Sequence, residues 1–487
     1  MSYKRTAAVE RWYPLTYPGH YTDTLDITDG LDWEHCALDV TAFRGCTLGI
    51  SALCGDDGRC VLTDSAGAVL GSWQDAPAEL TIPETAGRLY LSNHHTRHAD
   101  FYLTVPAGTL PKSNGLLFYE DFTRSSAPDK NDFADCTLHG ACTEQGLILS
   151  HGVENALVSS KSTAADRWTI TAELTAREGT ETVFFGTRIT QPHLCKHATL
   201  CSVDFTAGVL RLYRGSNGRE LPSEVIQTAD ILPILREGDE EFTLRMERLA
   251  TAIQASITNN ATGQQVTLYE GLTQEETETT IAGGCRAGKM YDSAQLFVTA
   301  GRPVIRRFYA AAKTTPKVMF FGDSLTQGAH NLPENGWAQM SAAYFGNSMC
   351  CGRGSGDVWS CLNQVRSMVP VCRPKVMVVT IGTNNRPEMP ASLYDKFLHM
   401  AEYWGILPIV NCVPACNKRP QAEVMNRYLR QLPCLKCRFD LVTTHGSLPG
   451  GQQIMDYYVA DATHLSGAGN RALYERFIRD FGWLKEL

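Results

Sequence analysis

FFGDSLTQG, residues 320–328, closes an apolar run that starts at Val318 and passes at once into small polar residues. A buried strand reads this way where it ends at a functional loop. The loop carries one hydroxyl of interest, Ser324, between Asp323 and Leu325. An ordinary glycine-bounded turn would look the same, so the reading of Ser324 depends on what partners the rest of the chain supplies.

Around this stretch, strand-like and helix-like segments alternate. GWAQMSAAYFG (336–346), DVWSCLNQVRSMV (357–369), SLYDKFLHMAEYWG (392–405), RPQAEVMNRYLRQL (419–432) and SGAGNRALYERFIRDFG (466–482) have helical periodicity. KVMVVTIG (375–382) and ILPIVN (406–411) are near-continuous apolar strands. Such strands between amphipathic helices predict a parallel sheet covered on both faces, a three-layer α/β domain of flavodoxin-like build. Chemistry in such sheets gathers at the carboxyl ends of the strands.

Four loops fall there. The first brings Asp323 and Ser324. CGRGSGDV (351–358) brings small residues with free backbone N–H groups, Gly356 among them. The third brings Gly382, Thr383, Asn384 and Asn385, and DATHLS (461–466) brings Asp461 and His464. Acyl transfer needs this set. A serine is a poor nucleophile without an adjacent base. Histidine suits that role, and an aspartate fixes its tautomer. The N–H groups of Ser324 and Gly356 and the Asn384 amide are the candidate oxyanion donors. Asp323 is expected to bond loop backbone rather than substrate. Taken alone, Asp461 and His464 could simply cap the last helix.

Together these residues resemble the SGNH (GDSL) hydrolase family. Gly322-Asp323-Ser324-Leu325 is similar to its first block, Gly356 to the second-block glycine, Asn384 to the third-block asparagine, and Asp461-x-x-His464 to the fifth block. NGW (335–337) sits where the family often places a tryptophan. Asn385 departs from the pattern, which usually has aspartate there. The resemblance spans 314–487, a little over a third of the chain. It implies a Ser324–His464–Asp461 triad, an oxyanion hole of Ser324, Gly356 and Asn384, an ester substrate, and no cofactor.

The first 300 residues read as β. ALDVTAFRGCTLGISAL (37–53), ELTIPETAGRLYLSN (79–93) and DFYLTVPAG (100–108) alternate, and CVLTDSAGAVLGSW (60–73) reads as a hairpin about Ser65-Ala66-Gly67. LLFYEDF (116–122), WTITAELTA (168–176), TVFFGTRI (182–189), GVLRLYRG (208–215), EFTLRMERLATAIQASITN (241–259), QQVTLYEGL (264–272) and SAQLFVTAG (293–301) form a second block. The expected organisation is multidomain: a jelly-roll-like β-sandwich at 1–112, a concanavalin-A- or laminin-G-like β-sandwich at 113–308, and the hydrolase domain at 314–487. RRFYAAAKTTPK (306–317) is the expected hinge. Trp73 and Trp168 could stack on sugars, although aromatic core residues are commoner. A sandwich ahead of such a domain resembles the layout of some carbohydrate acetylesterases. The expected function is therefore serine-dependent removal of O-acetyl groups from a carbohydrate. The alternatives are an esterase or lipase on small or lipid acyl esters, and a non-catalytic glycan-binding protein.

Composition narrows the partners. The 487 residues carry a net charge of −8, from 44 basic and 52 acidic residues. That is no footprint for nucleic acid or an anionic membrane surface. No apolar run approaches the roughly 20 residues of a membrane helix. The stretch MSYKRTAAVERWYPLTYPGHYT lacks a signal-type apolar core, while the domain layout suggests a secreted or periplasmic protein, so the compartment stays open. The chain has 17 cysteines. Cys54 with Cys60, or Cys136 with Cys142, could close short loops, but buried thiols acting as small hydrophobes are the preferred reading. Cys412, Cys416, Cys434 and Cys437 have spacing close to a zinc site, a minor alternative to buried cysteines. His94, His95 and His98 are expected on an exposed strand edge. GRGSG (352–356) resembles a dinucleotide loop, and GGCRAGKM (283–290) nearly spells a phosphate-binding loop, with Met290 where a Ser or Thr would bind magnesium. Neither accounts for Ser324, Asp461 and His464.

Overall fold

The computed structural model describes residues 9–98, 100–110, 116–122, 140–162, 168–188, 198–216, 221–222, 224–249, 252–271, 293–312, 316–331, 335–346, 348–352 and 354–487. The chain divides into two compact units. One holds 1–114, 355–370 and 377–453, and the other holds 115–354, 371–376 and 454–487. Cys136 and the stretch 283–290 lie outside the described residues, as do 332–334 of the loop after Ser324 and the side chain of Trp168.

In the first unit, alternation along the N-terminal strands builds two antiparallel sheets. Val9–Trp12, Tyr102–Pro106, Thr47–Ser51 and Glu79–Thr81 form one, in that order. Tyr17–Pro18, Glu34–Asp39, Ala86–Asn93, Cys60–Asp64 and Val69–Trp73 form the other. Leu48, Leu103 and Val105 from the first meet Leu38, Leu62, Leu89 and Leu91 from the second in one apolar core. The Cys60–Trp73 hairpin forms, with Asp64 Oδ1 accepting from the N–H groups of Ala66 and Ala68. Trp73 packs against the core rather than standing free. Cys54 and Cys60 are separate, buried thiols. His95 overturns the exposed-edge expectation. It is buried, its Nε2 lies 2.6 Å from the Leu31 carbonyl, and its ring meets Trp359 edge-on at 5.5 Å.

The same unit contains the helices Asp395–Trp404 and Gln421–Leu429, the helix Val358–Cys372 as far as Pro370, the strand Val376–Thr380 from Met377 on, and its neighbour Leu407–Val410. A buried ion cluster ties them to the N-terminal sheets. Glu34 is fully buried, and its carboxylate accepts from Lys396 at 2.7 Å, Asn93 at 2.8 Å, Thr16 at 2.9 Å and Arg366 at 3.3 Å. Asn363 pairs with both backbone groups of Thr16. Burial by itself would raise the Glu34 pKa; Lys396 and Arg366 instead hold it at about 2.

The second unit has larger sheets. Its centre is the strand Val304–Ala312, paired with Trp168–Thr175 and Leu116–Asp121. The segment expected as a hinge is thus strand as far as Ala312. Period-2 alternation explains the difference: Phe308 and Ala310 are buried, while Arg307 reaches Glu173 at 2.8 Å. Trp168–Thr175 continues through Glu241–Arg248 and Ala252–Asn259 to Gln265–Gly271. EFTLRMERLATAIQASITN holds two strands, paired antiparallel. A second sheet runs Leu157–Ser162, Ser293–Ala300, Thr182–Arg188, Ala198–Asp204, Val209–Ser216 and Glu224–Asp230. The strand Val318–Gly322 is wholly buried and pairs in parallel with Ser348–Gly352. The helices Trp337–Phe345 and Gly467–Phe481 complete this part. No helix among the described residues is long and apolar enough to cross a membrane.

Replacing Glu34 with Ala strands two buried cations. The expected loss is about 3–5 kcal/mol of unfolding free energy, read as a lower denaturant midpoint. Because the folded pKa of Glu34 is depressed, its contribution is present above the usual carboxylate range and lost as pH falls toward about 2. The variant should therefore show a smaller stability loss between pH 5 and pH 2 than the wild type, on the order of the shift just described.

Candidate active site

The strand Val318–Gly322 ends directly in a four-residue helical turn, Ser324–Gln327. Asp323 caps it, its Oδ1 accepting from the Leu325 N–H at 2.9 Å. That is the backbone role expected of this residue. Gly352, at the end of the paired strand, lets the chains close: a Cβ there would stand 2.2 Å from the Gln327 nitrogen. From the helix Trp337–Phe345, the buried Gln339 amide donates to the carbonyls of Thr326 and Gln327 at 3.2 and 3.0 Å. Ser324 is 7 % exposed on this turn.

The last loop presents Asp461 and His464. Ser466 caps the helix Gly467–Phe481, and the bridge Tyr458–Leu465 folds the loop back on itself. Gly469 admits the Tyr457 carbonyl to a position where a Cβ would be 2.1 Å away. Asp461 Oδ1 accepts from the N–H groups of Thr463 and His464 at 2.8 and 2.9 Å. Its Oδ2 lies 2.6 Å from His464 Nδ1. The other ring nitrogen, Nε2, lies 2.9 Å from Ser324 Oγ. The partial burial of Asp461 would raise its pKa, but the His464 ring and the two N–H groups lower it to about 2. The carboxylate therefore stays charged in mild acid, and its bond to Nδ1 directs the lone pair of Nε2 toward the serine.

Asn331 stitches the two loops together. Its buried amide donates to the Ala329 carbonyl at 3.0 Å and the Leu465 carbonyl at 2.8 Å. Asn470 accepts from the Trp337 N–H at 3.1 Å and donates to the Ser466 carbonyl at 3.0 Å. Sequence reading did not single out Asn331, Gln339 or Asn470. Their only local signal is a polar residue beside apolar or small neighbours, which is common on exposed faces too. His330 was also passed over, although its Nε2 lies 3.8 Å from Asp461 Oδ2.

Gly356 and Asn384 belong to the other compact unit. There the Asn384 amide donates to the Gly356 carbonyl at 3.2 Å. Asn385, the departure from the expected aspartate, is buried and accepts from the Val358 N–H at 3.0 Å, at the start of the helix Val358–Cys372. Asp357 and Ser360 complete that helix start through reciprocal bonds. Cys412, Cys416 and Cys437 are buried, and Cys434 is partly so. Burial pushes the Cys412 thiol up to about 12. Among the described residues, His330, Asp461 and His464 are the group of three His, Cys, Asp or Glu whose ligand atoms lie within 4.8 Å of one another.

The chain matches no protein-family model and no curated protein sequence. It is similar to several solved structures. One is a GDSL-like lipase from Bacteroides thetaiotaomicron, at 14% identity over 35% of this chain and 87% of that one, with a TM-score of 0.28. Another is a lipase/acylhydrolase from Enterococcus faecalis, at 18% identity over 35% and 96%, with a TM-score of 0.29. A carbohydrate-binding module from Bacillus subtilis is similar at 13% identity over 36% and 91%, with a TM-score of 0.25.

Asn331→Ala leaves two carbonyl groups short of a donor and frees the serine loop from the histidine loop. The expected result is a loss of about 1–3 kcal/mol of stability, measured by chemical denaturation. Turnover in any ester assay the wild type supports should fall chiefly in kcat, because a misplaced Ser324–His464 pair weakens the reacting geometry more than binding.

Proposed function

We propose that this protein is a serine ester hydrolase and that its substrate is an O-acetylated carbohydrate. The observation that carries the hydrolase reading is the continuous hydrogen-bonded line from Ser324 Oγ through both nitrogens of His464 to Asp461. That line is what makes a hydroxyl nucleophilic at neutral pH. It also weighs against a purely binding role, which would place no demand on these distances.

In this reading His464 Nε2 takes the proton of Ser324 as Oγ attacks the ester carbonyl carbon. The imidazolium is stabilised by Asp461, whose bound N–H groups keep it ionised. As the tetrahedral species collapses, His464 returns the proton to the departing alcohol oxygen. That leaves an acyl group on Ser324. Water then attacks, again losing a proton to His464, and the acid leaves as Oγ recovers its proton. The oxyanion role of the Ser324 and Gly356 N–H groups and the Asn384 amide is carried by the resemblance of their sequence blocks to the SGNH family. The choice of a carbohydrate rests on the β-rich 300 residues that precede the serine strand, a layout similar to some acetylesterases. The same residues would serve small or lipid acyl esters, which form the second arm of the test.

The experiment is hydrolysis of p-nitrophenyl acetate and of longer acyl esters, followed by acetate release from acetylated polysaccharides, with Ser324→Ala alongside. Loss of a triad member is expected to lower kcat by about 10⁴–10⁶-fold, and Asn384→Ala by about 10²–10³-fold. Acetate release from a polysaccharide, abolished in Ser324→Ala, supports the full reading. Preference for long acyl chains moves the substrate to lipids. Inertness on all of these substrates overturns the hydrolase reading.

A further inference from the structure

His330 has no part in the acyl-transfer scheme, yet it stands over it. Its ring centroid is 4.6 Å from that of His464, at 51°. Its Nε2 is 3.8 Å from Asp461 Oδ2. The backbone presents it in the left-handed region, φ 65°, which non-glycine residues adopt sparingly. The flanking chain holds it there: the Asn331 N–H donates to the Gly328 carbonyl, and the Asn331 side chain binds the carbonyls of Ala329 and Leu465. Its side chain is 56% exposed, so the imidazole is open to solvent.

We infer that His330, Asp461 and His464 form a binding site for a borderline divalent cation, Zn²⁺ above all, and that the bound ion switches the triad off. Two imidazoles and a carboxylate are a donor set that zinc favours. Zinc-to-ligand distances of about 2.0–2.2 Å put tetrahedral neighbours about 3.3–3.5 Å apart. The 3.8 Å between His330 Nε2 and Asp461 Oδ2 needs only a small closure to reach that range. All the ligand atoms already lie within 4.8 Å of one another. The fourth position is left to solvent.

A zinc ion on either nitrogen of His464 disables the base. If zinc takes Nε2, the lone pair that would accept the Ser324 proton is in the metal bond. If it takes Nδ1, the ring proton moves to Nε2, which can then only donate. With zinc on Nδ1, Asp461 exchanges its hydrogen bond to His464 for the metal; with zinc on Nε2, the Nδ1 proton stays available to the carboxylate. No bond to substrate forms or breaks, and removal of the ion restores the original arrangement. Binding stands on the geometry of these three side chains alone; its inhibitory effect rests on the hydrolase reading above.

The test uses the full chain freed of metal by a chelator and titrated with Zn²⁺, with binding followed calorimetrically and ester hydrolysis in parallel. Ser324→Ala should keep the site, since it removes no ligand. His330→Gln and His464→Ala should each weaken it by about 10–100-fold or more. The inhibition of each active variant is scored against its own zinc-free rate. A site shared by wild type and Ser324→Ala, weakened in both histidine variants, with loss of zinc inhibition in His330→Gln, supports the proposal. Binding that His330→Gln leaves unchanged places the ion elsewhere, on cysteines for example, and overturns it. A wild type that hydrolyses esters at the same rate in excess zinc overturns it while leaving the hydrolase reading intact. A wild type inert on every ester that still binds zinc through His330 overturns the hydrolase reading and the switch with it, and supports the binding site.

Discussion

The hydrogen bond from Ser324 Oγ to His464 Nε2 joins side chains 140 positions apart. Each end is held independently. The serine sits at the end of a fully buried strand, on a turn capped by Asp323 and braced by Gln339. The histidine is set by Asp461 three residues earlier and by the folded-back loop that Ser466 joins to the last helix. Asn331 then spans the two loops. A reacting pair must be placed to within fractions of an ångström, and rigid elements with satisfied polar groups supply that placement.

Glu34 has a comparable place in the other unit. A carboxylate taken fully out of water is tolerated only when cations and donors surround it, and here four groups do. All four of its partners are themselves buried, and Lys396 and Arg366 lie on different helices. The N-terminal sheets and the segments 355–370 and 377–453 therefore share a charge network as well as a compact unit. Such a network requires specific partners, whereas an apolar surface would accept many packings.

His330 shows how a third polar side chain can gather beside a hydrogen-bonded serine, histidine and aspartate. His464 and Asp461 set an imidazole and a carboxylate side by side, and the His330 imidazole brings a third ligand atom within 4.8 Å of them. The left-handed backbone at 330 is costly for a histidine unless the neighbouring chain enforces it, which Asn331 does. The residue that joins the serine and histidine loops thus also fixes the side chain beside them.

Local pattern by itself determined a good deal. The apolar run before Gly322, the helical periods of 336–346, 392–405 and 466–482, and the Asp461–His464 spacing are all short-range features. The forces behind them, burial of one face and hydrogen bonding within a few residues, act over the same short range. Sequence also singled out Ser324, Gly356 and Asn384, since glycine, hydroxyl and amide residues gathered at strand ends are visible without a fold. It misjudged 306–312, where the arginines concealed a central strand, and His95, whose burial depends on Leu31 and Trp359. It said nothing of Glu34 and Lys396, which lie 362 positions apart and look like surface residues in isolation. Those contacts, the 2.9 Å between serine and histidine and the place of His330 were decided only by tertiary structure. Closing loops of such length depends on the summed packing of whole sheets and helices, which no local stretch encodes.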